Sequence, residues 1–171
     1  MRTMLVVLFM SFGRVAAAAP AAPRSACTYD GSFCVDLPDG LAAVPIDAFN
    51  KDAVTPLLLV SSGAAHAPVL ILTAATGSSA KSTAHAELTR LRAIKDARFS
   101  PTDAVKVRLP HRWWKSWSYR NGCLDATRCQ DWEFVYLDDG RRVVKAAFPS
   151  AQRGVVLEIL GGRRIPAKKK E

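Results

Sequence analysis

The chain has 171 residues, a formal net charge of +9, 49% apolar side chains and 23% charged ones. This composition is that of a globular protein and excludes a disordered or fibrous chain. The excess of cations favours acidic partners: acidic proteins, anionic lipid head groups, acidic envelope polymers or nucleic acid.

Residues 1–18 carry a cation at Arg2, an apolar run from Met4 to Phe12 and an Ala16-x-Ala18 step. That layout predicts a secretory signal peptide removed on export. The apolar run falls well short of the roughly 20 residues that span a bilayer as a helix, so no stable membrane span is expected. Ser25-Ala26-Cys27 has the ending of a lipid-attachment motif, but Arg24 stands where leucine is wanted. Loss of Arg2 and Arg14 lowers the charge by two, from +9 to +7. A periplasmic or secreted location makes nucleic acid the least favoured of the acidic partners. The expected organisation is a Pro/Ala-rich leader at 19–26, one domain over 27–162 and a basic tail at 163–171.

Asp30-Gly31 and Asp39-Gly40 are turn signals that bracket a short strand, Ser32 to Leu37, stopped by Pro38. A short helical turn is expected after Pro45. The β-branched runs TPLLLVSS and APVLILTAA predict two central strands, about 55–62 and 67–74, joined by the hairpin loop GAAH. The period then changes. Ala84, Leu88, Leu91 and Ile94 recur at helical spacing while Glu87, Arg90, Arg92 and Lys95 fall elsewhere on the wheel, with Ser79, Ser82 or Thr83 as cap.

AVKVRLP alternates like a strand, and from His111 the period is two. Trp113, Trp117 and Tyr119 are expected to point into the core. Arg112, Trp114, Ser116, Ser118 and Arg120 lie on the more polar side, and Lys115 is the awkward member of the aromatic face. QDWEFVYL follows as a strand. A three-residue DDG loop, with Gly140 at positive φ, sets Glu133 opposite Lys145, Phe134 opposite Val144 and Trp132 opposite Ala146. GVVLEILGG reads as a last strand, followed by a solvated charge run. The order of elements predicts an α+β fold: a twisted antiparallel sheet with one main amphipathic helix packed on a face.

The four cysteines fall as two close pairs, Cys27/Cys34 and Cys123/Cys129. Three connectivities are open, and proximity favours the local one. Each small loop would contribute about 2 kcal/mol by chain entropy. The spacing lacks CxxC and a nearby histidine pair, so no zinc or other metal is expected, and no cofactor motif is present.

The stretch SFCVDLPDGL, with Ser32, Phe33, Pro38 and Gly40, followed by strands, one amphipathic helix and long antiparallel strands, resembles the PsbP/DcrB-like group of small domains. The resemblance implies an exported accessory or adaptor module without a catalytic site. This chain departs from that group at Leu41, where an aromatic usually follows the glycine, and in showing no clear helix after Gly162.

Ser78-x-x-Lys81 matches the S-x-x-K element of penicillin-recognising serine enzymes, but its SDN and KTG partners are absent and helix-cap chemistry accounts for it. A Walker-like reading of the same stretch fails at Ala75 and Ala80, where glycines are required. His66, His85 and His111 have no ligand-spaced companions, and His111, flanked by aromatics, is the best of them. The strongest functional candidate is therefore the basic-aromatic strand, with His111, Arg112, Trp114 and Arg120 as binding residues. The expected function is an exported, non-catalytic adaptor, inhibitor or immunity-type module that engages an acidic protein or anionic envelope component. The alternative is a small cell-envelope hydrolase using a serine or histidine.

Overall fold

The computed structural model describes residues 24–28, 33–44, 58–62, 68–94, 98–109, 115–124 and 129–162. The signal-peptide cleavage region, the turn after Pro45, the basic tail, His66, His111, Arg112, Trp113 and Trp114 lie outside the described residues.

The strands are β1 (Arg24–Cys27), β2 (Cys34–Leu37), β3 (Leu41–Val44), β4 (Leu58–Ser62), β5 (Pro68–Ala75), β6 (Phe99–Pro101), β7 (Val105–Val107), β8 (Lys115–Cys123), β9 (Trp132–Asp138) and β10 (Val143–Pro149). The helices are α1 (Ala80–Ala93) and α2 (Arg153–Gly161), the latter entered through a 3-10 turn at Ser150–Gln152. β1 and β2 form a small hairpin. The other eight strands form one sheet, β3-β4-β5-β10-β9-β8-β6, with β7 also paired to β8, and every pairing is antiparallel. The edge beside β8 is thus shared by two three-residue strands. The architecture is α+β and dominated by the sheet.

α1 forms where the sequence places it. Ser79 caps it by accepting from the Ser82 amide at 3.2 Å. Ala80, Thr83, Ala84 and Leu88 are buried against the sheet, where small side chains let the helix approach closely. Ile94 does not join that stripe: the helix stops at Ala93, Ile94 turns to an extended conformation, and it is 63% exposed.

The last expected strand is a helix. A short, mostly apolar run does not separate the two by periodicity, but Val156, Ile159 and Leu160 recur at helical spacing and are buried, while Val155 and Glu158 face outward. Together with Val35 and Leu37 of β2, this stripe covers the sheet face opposite α1, meeting Leu70, Leu72, Val135, Leu137, Val144 and Phe148. The sheet is therefore covered on both faces. The polar side of β8 is buried as well: Ser116 and Ser118 are enclosed, and the Ser116 hydroxyl donates to the Val107 carbonyl at 2.5 Å.

Gly140 supplies the expected positive φ, 84°, but the hairpin loop is Asp139–Arg142, four residues long. The Asp139 carboxylate accepts the Arg141 and Arg142 amides at 2.9 and 3.0 Å, which sets the longer turn. The register consequently slips by three, pairing Glu133 with Phe148, Phe134 with Ala147 and Lys145 with Tyr136. An odd slip exchanges faces. Glu133 and Lys145, expected opposite one another, lie on opposite sides of the sheet.

Both local disulfides form, Cys27–Cys34 across the β1–β2 pair and Cys123–Cys129 in the connection to β9, with Cα separations of 4.0 and 6.0 Å.

Candidate functional site

The register slip gives each of those two charges a helix partner. Beneath α1, Lys145 Nζ donates to Glu87 Oε2 at 2.7 Å. The Tyr136 hydroxyl donates to the same oxygen, the Tyr119 hydroxyl donates at 3.3 Å, and the two phenols lie 3.4 Å apart. Lys145 Nζ also sits 4.8 Å from the Phe134 ring centroid. Glu87 belongs to the sheet-facing stripe, at i+3 from Ala84 and i−4 from Leu91, contrary to its expected outward place.

Burial pushes the Glu87 carboxyl up, but hydrogen bonds from Lys145 and Tyr136, the Lys145 charge and the bond from Tyr119 together hold it below the usual glutamate range. Burial pushes the Tyr119 phenol up to about 12, with Glu87 adding to the rise against the opposing bond to Tyr136. Burial and then the bond to Glu87 push Tyr136 up as well. A phenol protonated more firmly in the fold than in the unfolded chain stabilises the fold fully below the ordinary value of 10, and that contribution is lost as pH rises above it. Alkaline titration followed by tyrosinate absorbance should therefore show these two phenols ionising together with unfolding, whereas ionisation near pH 10 with the fold intact would contradict the cluster.

At the rim of the same face, Trp117 is half-buried. Lys81 Nζ lies 5.2 Å from its ring centroid, and the His85 ring, one helical turn on, lies 5.6 Å away. Lys106 of β7 is its cross-strand partner, and Lys115 follows on the same face two residues along β8. Lys81, Lys106 and Lys115 have no ion pair with a described carboxylate. Of the nearby acids, Asp138, the cross-strand partner of Lys115, accepts the Ala80 and Gly140 amides, and Asp103 accepts from Arg92 at 2.6 Å. Lys81 thus turns to Trp117, while Ser78 exchanges a 3.2 Å hydroxyl contact with Ser82, as helix-cap chemistry requires.

Arg120 lies on the opposite face of β8, across the strand from Glu133. Glu133 is only 3% exposed and is ion-paired to Arg153 of α2. Around them is a depression of about 300 Å³ bordered by Thr102, Val105, Ser118 and Ser150. A second cavity, about 400 Å³ and mainly apolar, lies between the end of α1 and β6, walled by Leu91, Ile94, Phe99 and Pro101, with Arg92 and Asn121 as its polar members.

No family model, curated protein or solved structure matches this chain. Of the residues expected to bind, Arg120 is in place as an exposed cation, but on the face away from Trp117. Sequence reading missed Lys81, His85 and Lys106 because they come from other elements. Their signal lay in the i, i+4 spacing of Lys81 and His85 and in the position of Lys106 between Val105 and Val107. Among the described residues there is no group of three or more His, Cys, Asp or Glu side chains placed to hold a metal, and no helix long and apolar enough to cross a membrane.

Proposed function

We propose that the chain is an exported binding module of the adaptor, inhibitor or immunity type, and that it engages an acidic protein or anionic envelope component through the cations around Trp117. The observation that carries this reading is the gathering of Lys81, Lys106 and Lys115 around one half-buried indole, none of them ion-paired with a described carboxylate. Like charges held together repel, and an acidic partner turns that repulsion into attraction. Trp117 adds a rigid aromatic anchor of the kind that carries interface energy. Two disulfides support maturation in an oxidising compartment. The positive net charge, +9 for the whole sequence, favours the same class of partner, and the accessory role implied by the PsbP/DcrB-like resemblance fits a binding module.

The test is the affinity of the full chain for polyglutamate and for vesicles containing phosphatidylglycerol, measured at increasing salt. Lys81→Glu with Lys106→Glu should weaken binding to the acidic probe about tenfold or more at low salt, with the difference shrinking as salt rises. Equal binding by the parent and the double variant would remove the basis for this reading.

A further inference from the structure

We infer that the cavity between the end of α1 and β6 binds a single-chain fatty carboxylate, with the hydrocarbon chain inside and the carboxylate at Arg92. This inference rests on different residues from the cationic surface around Trp117 and stands independently of it. At about 400 Å³ the cavity has the size of a small ligand site, suited to one acyl chain and too small for a two-chain lipid. Phe99 pairs with Cys123 and Pro101 with Asn121, so Phe99, Pro101 and Asn121 share one face of the sheet, and Leu91 and Ile94 wall the cavity from the end of the helix. Leu91, Phe99 and Pro101 are only partly buried and Ile94 is 63% exposed. The fold thus leaves a concave apolar surface against water, and a hydrocarbon chain would cover it.

The charges choose the head group. Arg92 is the one charged side chain among the described lining residues. One of its nitrogens meets Asp103 Oδ1 at 2.6 Å, with 49% and 85% of the two side chains exposed. Water weakens a pair so open, and the remaining N–H donors are left for a ligand. The planar fork of a guanidinium matches the two oxygens of a carboxylate. Arg98 adds a second cation beside the same wall, its guanidinium carbon 5.7 Å from the Phe99 ring centroid. Arg90 and Arg92 in the last turn of α1 offset the partial negative charge of the helix end. The Asn121 side-chain oxygen is enclosed and takes no part in binding. A cationic amphiphile meets these arginines as repulsion, and a sugar meets apolar walls that leave its hydroxyls unpaired.

Titration of the full chain with monomeric decanoate, followed by backbone amide NMR, tests the site. Decanoate should produce saturable shifts at Leu91, Ile94, Phe99 and Asn121, and acetate, which lacks the chain, should produce none. Ile94→Glu puts a carboxylate into the cavity at an exposed position, so it should weaken decanoate about tenfold or more while leaving the melting temperature unchanged. Arg92→Gln should weaken decanoate by about fivefold or more and leave decanol unaffected. Lys81→Glu with Lys106→Glu should bind decanoate like the parent, which separates this cavity from the surface around Trp117. The proposal is overturned if decanoate gives no saturable shifts there, if decyltrimethylammonium binds as tightly, if Ile94→Glu or Arg92→Gln binds decanoate like the parent, or if the Lys81, Lys106 double variant loses it.

Discussion

Arg153→Ala should lower the unfolding free energy by about 3 kcal/mol, because it leaves the nearly enclosed Glu133 carboxylate without its counter-ion. The expectation sits at the low end for a broken buried pair, since Arg153 is half exposed and the depression admits water. Urea denaturation gives the measurement, and adding Glu133→Gln to the same background should recover most of the loss, because a neutral amide is buried at lower cost. A single variant within about 0.5 kcal/mol of the parent would mean that the pair contributes no more than an ordinary surface contact.

Glu87→Ala is the second large effect, expected at about 2 kcal/mol. It removes one acceptor from the Lys145 ammonium and from two phenols at once. Glu87→Gln should cost less, because its amide oxygen still accepts from the tyrosines. The two proteins separate further with pH. The folded carboxyl titrates below its ordinary value of 4.5, so its contribution is complete above that value and is lost as pH falls through the lower, folded one. Urea midpoints taken from neutrality down to about pH 3 should therefore fall more steeply for the parent than for Glu87→Gln. Parallel curves would show that this carboxylate does not link stability to acid.

The helix under which that cluster sits was readable because its cap, its small buried stripe and its polar face agree. The β9–β10 hairpin was readable from alternation and from Gly140, but its register was not. A single aspartate, Asp139, gathers two backbone amides and lengthens the turn by one residue, a choice that residue alternation does not encode. The error then spread, since the slip decides which helix Glu133 and Lys145 meet. α2 was misread because a short apolar run suits a buried strand and a buried helix equally, and with it went the origin of Arg153. Trp117 was read as core, and it is partly so, but the lysines that define its surroundings come from α1 and from the strand beside it. Arg120 was placed on the more polar side of its strand, where it is exposed while Ser116 and Ser118 are buried; what it faces depended on a pairing that local pattern cannot supply.

The division of the outer strand beside β8 into two three-residue pieces bears on how the molecule behaves in a crowded compartment. Pro101 closes the first piece without an amide to donate, and Lys106 puts a charge in the second. Among the described residues of that edge a neighbouring copy finds no long run of unsatisfied backbone to template on, which disfavours growth of this sheet from molecule to molecule into a fibril on that side.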